Sequence, residues 1–519
     1  MLKSICVQNY RTFREQFTLD IAPLTILLGA NSSGKSSIAR LPTLVNQSLS
    51  ERTSAPILWV SNTLDFGSFS ENVHNHDQNG KITFRFNGSF SDQGNPLAAL
   101  ALNAWQSANF SYAIDIIGPD NQSRASKISI SIYDETVEMD VKNGFVQSIT
   151  FRGRVYKELI RNMVVYISDG LFPSVHFFMR DSEGRFTSTD KDILKREPIR
   201  ILGQYSHANT TDFAISKVYQ NYRISTVKQT FEWLKTKSRQ VPSLNKKFDQ
   251  ITEAERGRIW LFLFFSGLSS LMTSMSSAVS LDVGSGGYLA PVRAAAERYY
   301  RHRELAVDRI DADGSNLAMY LNSLSWMDLD ELNNDFHAFF GHKVRVHRSE
   351  GHISLRIVGP NNYEDNLADV GFGFSQLIPV MAQIHAASRS LNRSNLRGAN
   401  AASPIISVEQ PELHLHPAFQ AQLGVYFARV CQRKRVGSSF RFLIETHSEP
   451  LVNEIASMVS KGELSPSDVN IYLFERDSQS NATNVQSVTV NSDGTLTNWP
   501  FGFFSSGKLT SPFDRGNFL

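Results

Sequence analysis

The chain has 519 residues, 41% hydrophobic and 20% charged, the balance of a soluble globular protein long enough for about two to four folding units. Fifty-two Lys and Arg face 50 Asp and Glu, a formal charge of +2, so net charge makes no case for a nucleic acid or a membrane and only a local patch could. Two cysteines, Cys6 and Cys431, exclude a disulfide framework and a four-thiolate zinc site and fit a reducing cytoplasm.

Strand-like residues open the sequence, with no apolar leader. Leu2, Ile5 and Val7 are followed by the turn Asn9-Tyr10-Arg11, then by Phe17 to Ile21 and Leu24 to Leu28. The last segment runs into a Gly/Ser-rich loop and a helix start at Ser36-Ser37-Ile38-Ala39-Arg40. Residues 55 to 155 read as β-rich, most clearly at Ile82 to Phe86 and Lys127 to Ile132. From Thr211 to Val279 the pattern is helical, without the sustained heptads of a coiled coil. Its most apolar stretch, Ile259 to Met272, has 14 residues. That is short of the ~20 that cross a bilayer, so a buried helix and no membrane partner are expected. From Ile353 onward strands alternate with helices: a strand at Ile353, Leu355 and Ile357, a helix after Ser375, Ile405 to Val408, a helix after Pro417, Phe440 to Ile444, a helix after Ser448. Such alternation predicts a parallel α/β layer. No internal repeat or low-complexity tail interrupts it.

Four motifs carry chemistry. Gly29-Ala30-Asn31-Ser32-Ser33-Gly34-Lys35-Ser36 matches G-x-x-x-x-G-K-[ST] between a strand and a helix. Its backbone N–H groups, with those of Ser37, would curl around phosphates at a helix N-terminus. Lys35 would reach the β/γ-phosphates of ATP and Ser36 would offer its hydroxyl to Mg²⁺. Ile405-Ile406-Ser407-Val408-Glu409 is an apolar strand ending in a carboxylate, placed to hold Mg²⁺ beside Ser36. Glu445-Thr446-His447-Ser448 follows another apolar strand, and His447 there can contact a γ-phosphate or position water. Gly371-Phe372-Gly373-Phe374-Ser375-Gln376 puts glycines, a hydroxyl and an amide at a helix start, an anion site or a helix cap.

In chain order, with Gly371 to Gln376 falling between the Gly/Ser-rich loop and the strand ending at Glu409, the motifs resemble the ATPase head of the ABC superfamily, in the branch of SMC proteins, RecF-like repair ATPases and the OLD family. Glu409-Gln410-Pro411-Glu412-Leu413-His414-Leu415-His416-Pro417 resembles the E-x-P-E-x-H-L-H-P of OLD-like bacterial ATPases. Asn9-Tyr10-Arg11-Thr12-Phe13 resembles the N-[FY]-[RK]-[SA]-F opening of that group, which implies Arg11 near the nucleotide. Tyr288 to Arg293 is similar to its Y-[IL]-x-P-x-R, and Asp493 to Pro500 to a C-terminal module of unknown function. The resemblance implies an ABC-ATPase head, a mixed sheet with helices on both faces. Its N-terminal part is expected at 1–70 and its C-terminal part at 286–480. A β-rich then helical insertion would occupy 71–285, and a small module 481–519. It implies a dimer around two ATPs, with Gly373, Ser375 and Gln376 facing the partner's P-loop.

One departure stands out. Where the branch has a catalytic Glu, this chain has Gln410, an amide that orients water but cannot take its proton. Either hydrolysis is slow, or Glu412 or His447 supplies part of the role. His414 and His416 belong to the loop of the family phrase rather than to a metal site. Arg293, Arg298, Arg301, His302 and Arg303, flanked by Glu297 and Glu304, suggest a solvated or dimer-facing helix, or else a DNA contact. The resemblance implies an ATPase that controls a separate effector, such as an HNH nuclease, in bacterial anti-phage defence of the Septu or retron-associated kind. The alternatives are a RecF-like DNA-maintenance ATPase, with DNA or RNA as partner, and an ATP-gated scaffold with little turnover.

Overall fold

The computed structural model describes residues 1–90, 109–119, 122–157, 163–180, 186–188, 192–219, 225–396, 402–433 and 439–499. A seven-stranded sheet forms its centre, in the order Gly287–Leu289, Ile405–Glu409, Arg441–Glu445, Leu24–Gly29, Val469–Arg476, Thr483–Val490 and Leu496–Thr497. The first five are parallel and the last two antiparallel. Every residue of Leu24–Gly29, Ile405–Glu409 and Arg441–Glu445 is buried, which explains their continuous apolar runs: a parallel strand with covered faces has no solvent side to alternate with.

Alternate side chains of these strands feed two cores. Leu24, Ile26, Leu28, Val408, Phe442 and Ile444 pack with the helices Gly371–Leu396, Pro417–Gln432 and Glu449–Ser460. Leu27, Ile405 and Leu443 face the other way, toward the helices Lys35–Ala39, Leu41–Ser50 and Glu253–Gly284. The structure is mixed α/β with helices on both sheet faces, as expected.

The β-rich region pairs with the N-terminus. Leu2–Gln8 hydrogen-bonds Phe17–Asp20 on one edge and Ile82–Ser89 on the other, with Ile5 opposite Phe86 and Val7 opposite Phe84. From there an antiparallel sheet continues through Asn109–Ile117, Arg124–Ile132, Glu135–Lys142 and Phe145–Phe151 to Phe186–Ser188. The boundary expected at residue 70 therefore divides strands that pair with one another.

Two expectations are corrected here. The strand with Ile353, Leu355 and Ile357 lies outside the parallel layer. His352–Val358 pairs antiparallel with Lys343–Ser349, with Ser349 opposite His352. The two-residue turn Glu350-Gly351, with Gly351 at φ +71°, folds the chain straight back and makes its neighbour antiparallel. The basic residues from Arg293 to Arg303 lie on no helix: apart from the short strand Tyr300–Arg301 the segment is irregular. Arg293 is buried and Arg298 pairs with Asp369 at 2.5 Å.

The apolar stretch at Ile259 belongs to a 32-residue helix, Glu253–Gly284, longer than the sequence suggested. Among the described residues it is the one helix long and apolar enough to cross a membrane, yet 61% of its most apolar window is buried inside the fold. Trp260 stacks on Phe151 at 4.8 Å, and Thr252 and Glu255 form a capping box at its start. Near its end Asp282 ties distant segments together. It accepts N–H bonds from Leu2 at 2.7 Å and Ser403 at 2.9 Å, and pairs with buried Arg441 at 2.7 Å. Arg441 in turn donates to the carbonyls of Leu2 and Ser403. Such a pair is tolerable in a core because the remaining donors and acceptors are also satisfied.

Candidate nucleotide site

The strand Leu24–Gly29 ends in a loop that only glycine can begin and close. Gly29 has φ +148°, and a Cβ there would lie 2.3 Å from the Phe474 carbonyl oxygen. Gly34 has φ +97°, and its Cβ would lie 2.6 Å from Thr12 Oγ1. The C-terminal sheet edge braces the loop, since Thr483 donates to the Ser33 carbonyl at 2.9 Å and its N–H bonds the Thr12 carbonyl at 2.7 Å. Ser33 Oγ is buried with no partner, a polar atom with nothing in the protein to satisfy it.

Beside the loop opens a cleft of about 590 Å³. It is lined by Asn31, Ser32 and Gly34 to Ser37 of the loop, by Arg11, Glu71 and the turn His74 to His76, and by Gln410, Glu445 and Arg476. Lys35 is 3% exposed. Its Nζ donates to the carbonyls of Gly29 at 3.0 Å and Ala30 at 2.7 Å and stands 3.8 Å from Glu445. Burial lowers the lysine's pKa, opposed by the charges of Glu445 and Glu409. Arg11, at φ +51°, is held by Asn72 at 2.9 Å and lies over the Phe66 ring at 5.4 Å.

The two strand-end glutamates divide unexpectedly. Glu409, expected beside Ser36, is 1% exposed and turned away from the cleft. Arg40 grips both its oxygens, at 2.6 and 2.9 Å, and Tyr288 donates to it at 2.8 Å. The carboxylate at Ser36 is that of Glu445, whose Oε2 accepts the Ser36 hydroxyl at 2.7 Å. Burial raises the Glu445 carboxyl, and the charge of Glu409 adds to this. A hydroxyl and a carboxylate side by side in a phosphate cleft form a hard-oxygen donor set that suits Mg²⁺. Ser36 and Glu445 would hold the ion. The sequence pointed to Glu409 because it ends an apolar strand at the head of the Glu-Gln-Pro-Glu phrase; that Arg40, 369 positions away, would occupy it is a tertiary fact.

Gln410 reaches the cleft through strain. It has φ +44°, and its N–H bonds the Glu445 carbonyl at 2.7 Å, turning the chain sharply at the strand end; non-glycine residues in this region are costly and cluster at functional sites. Glu412 lies outside the cleft lining. It is buried, accepts the His447 N–H at 2.7 Å, and has its pKa raised by burial. It positions the His447 backbone. The His447 residue is exposed at the surface, outside the cleft lining, and partial desolvation and the charge of Lys35 lower its pKa. Gly373, Ser375 and Gln376 also lie away from the cleft, at the start of Gly371–Leu396. Ser375 Oγ donates to the Phe372 carbonyl at 2.7 Å, and Gln376 meets Arg293 at 3.4 Å. Sequence reasoning missed Glu445, His74, Asn75 and Arg476; only Glu445, two positions before His447, carried a signal.

The family model for the AAA ATPase domain matches residues 1–452, from the first strand through the cleft. The chain belongs to the AAA ATPase domain family. This AAA ATPase carries a second match at residues 464–505, to a protein family of unknown function, covering the sheet edge that braces the P-loop. No curated protein sequence matches it. Among solved structures it is similar to the Smc head domain of Pyrococcus furiosus, bound to the C-terminal domain of ScpA, at 9% identity and TM-score 0.34, covering 94% of this chain and 96% of that one. It is also similar to the SMC head domain of Thermotoga maritima, at 8% identity and TM-score 0.32, covering 94% and 99%.

Proposed function

We propose that this AAA ATPase binds ATP with Mg²⁺ in the cleft at Lys35, Ser36 and Glu445, dimerises around it, and hydrolyses it slowly. The meeting of these three residues under a phosphate-shaped loop carries the reading. Lys35 exchanges its carbonyl partners for phosphate oxygens. The N–H groups of Ser32 to Ser37 cradle the phosphates, and Mg²⁺ on Ser36 and Glu445 neutralises phosphate charge. Gln410 lies at the cleft and orients water without accepting its proton. His447 stands outside the cleft lining, near enough to Lys35 for that charge to lower its pKa, and takes part in our reading only by reaching in toward the γ-phosphate.

Gly373 and Ser375 sit away from the cleft of their own chain, which supports a second subunit presenting them across a nucleotide. Phe372, immediately before them, is 63% exposed. The Glu-Gln-Pro-Glu-Leu-His-Leu-His-Pro phrase supports a defence ATPase whose closed dimer controls a separate nuclease effector in the cytoplasm. Gln410 favours a second reading, in which bound ATP holds a scaffold closed with scarcely any turnover.

ATP turnover and species mass in ATP, for wild type and Lys35→Ala, test this. Turnover and dimer that both vanish in Lys35→Ala support the ATPase. A dimer without turnover supports the scaffold. Neither dimer nor binding in wild type refutes both.

A further inference from the structure

Gly287–Leu289 runs parallel to Ile405–Glu409, with Leu289 opposite Val408, so the chain leaving it passes the end of that strand. Two backbone bonds hold this exit, from the Ala290 N–H to the Ala312 carbonyl and from the Ala294 N–H to the Asp313 carbonyl, each at 2.8 Å. Arg293 lies between them, 4% exposed and outside the nucleotide cleft. Its Nη2 donates to the Glu409 carbonyl at 3.1 Å and its Nη1 to Gln376 Oε1 at 3.4 Å. Burial pulls its pKa down to about 10, opposed by the charge of Glu412. It therefore stays a cation at neutral pH, and a charged donor makes the stronger hydrogen bond.

The Glu409 carbonyl and the Gln410 N–H belong to one peptide unit, which is planar. Arg293 takes its carbonyl, and the Glu445 carbonyl takes its N–H at 2.7 Å. Held at both edges, that plane sets the direction in which Gln410 leaves the strand at φ +44°. A non-glycine residue persists there only where its surroundings over-determine it. We infer that Arg293 is a positioning residue of the ATPase site, fixing the Gln410 peptide and tying it to Gln376 at the start of Gly371–Leu396. This rests on the proposed reading, in which Gln410 orients the attacking water. Because Arg293 lies outside the cleft, it governs how fast bound ATP is cleaved and not how tightly ATP binds. The tie to Gln376 follows from the shape of the side chain. A guanidinium's rigid fork spans two acceptors set apart, whereas a lysine ammonium is a compact point charge. A shift of the helix start thus reaches the carbonyl that aims Gln410.

The test measures ATP affinity and single-turnover cleavage of bound ATP by the full chain, with species mass recorded in ATP. Arg293→Ala should cleave about 10- to 100-fold more slowly, the cost of misplacing a catalytic group by about 1 Å. It should bind ATP within about twofold of wild type. Arg293→Lys, which keeps a cation beside the Glu409 carbonyl, should recover part of the loss. Gln376→Leu should slow cleavage about threefold or more in wild type and add nothing in Arg293→Lys, since residues in contact do not act independently. That cycle decides alone should Arg293→Ala fold poorly. Unchanged cleavage in Arg293→Ala, or losses of Gln376→Leu and Arg293→Lys that multiply, overturns the assignment and leaves the nucleotide site standing. ATP affinity that falls together with cleavage, with no recovery in Arg293→Lys, overturns it in favour of a purely structural residue. A dimer lost along with cleavage overturns it in favour of an interface role. Wild type that binds ATP and never cleaves it leaves no water for Gln410 to aim, so the inference falls while the scaffold reading survives. No ATP binding by wild type removes the underlying site, and the inference with it.

Discussion

Replacing Glu445 by Gln separates the two glutamates that the structure assigns to different tasks. The change keeps an acceptor for the Ser36 hydroxyl, now 2.7 Å away, and removes one negative charge from the place where Mg²⁺ would sit. A unit charge 4 Å from another is worth about 4 kcal/mol at an effective dielectric near 20, and desolvating the buried carboxylate offsets part of that. Altered partners at metal sites cost about 10- to 100-fold in metal affinity, or roughly 1.4–2.8 kcal/mol. The midpoint of a Mg²⁺ titration of ATP turnover should therefore rise 10- to 100-fold in Glu445→Gln. The electron paramagnetic resonance signal of bound Mn²⁺ should weaken in parallel. Glu409→Gln should behave differently: it keeps the Tyr288 bond, breaks the Arg40 pair, and lowers unfolding stability by about 3 kcal/mol, the low end for a broken buried pair, because the Arg40 side chain is 30% exposed. If Glu409→Gln moved the metal midpoint while Glu445→Gln left it alone, the Arg40 clasp would not describe the working enzyme, and the reasoning would fail.

Gln410→Glu should raise the turnover rate at least about tenfold, because a carboxylate can take the proton the amide cannot; an unchanged steady-state rate would show that another step limits. Asp282→Ala should cost about 3–5 kcal/mol in denaturant unfolding, since it strands buried Arg441 and two backbone N–H groups at once. His447 supplies a pH prediction. Burial and Lys35 hold its pKa below the usual 6.5, so between those values the unfolded chain binds the extra proton and stability falls as pH drops through that window. From about pH 7.5 to 5.5, wild type should lose more thermal stability than His447→Gln; equal losses would place the proton elsewhere.

The P-loop was legible because its chemistry is local: eight consecutive residues, a strand before and a helix after, state both backbone and ligand. The parallel strands were legible because Ile405 to Val408 and Phe440 to Ile444 are covered on both faces and so unbroken in hydrophobicity. Roles that depend on distant partners were not. Nothing near Glu409 says that Arg40 will clasp it, and nothing near Glu445 says that Ser36 will meet it. The alternation at Ile353 reports a half-covered strand but not which sheet receives it. The pairing of Leu2–Gln8 with Ile82–Ser89 is equally invisible, so the β-rich region read as an insertion although it extends the first strand's own sheet.

The strand that carries the P-loop lies between Arg441–Glu445 and Val469–Arg476. On the ribosome, Leu24–Gly29 emerges early and then waits for more than 400 further residues. At about 5–20 residues per second, that is roughly 20 to 90 s with both hydrogen-bonding edges of a strand destined for full burial unclaimed. ATP cannot act as an early folding ligand, because its cradle is completed only when Phe474 and Thr483 arrive. Nucleotide binding consequently certifies a finished molecule: a polypeptide broken off before the last sheet strands would have the P-loop sequence and no site.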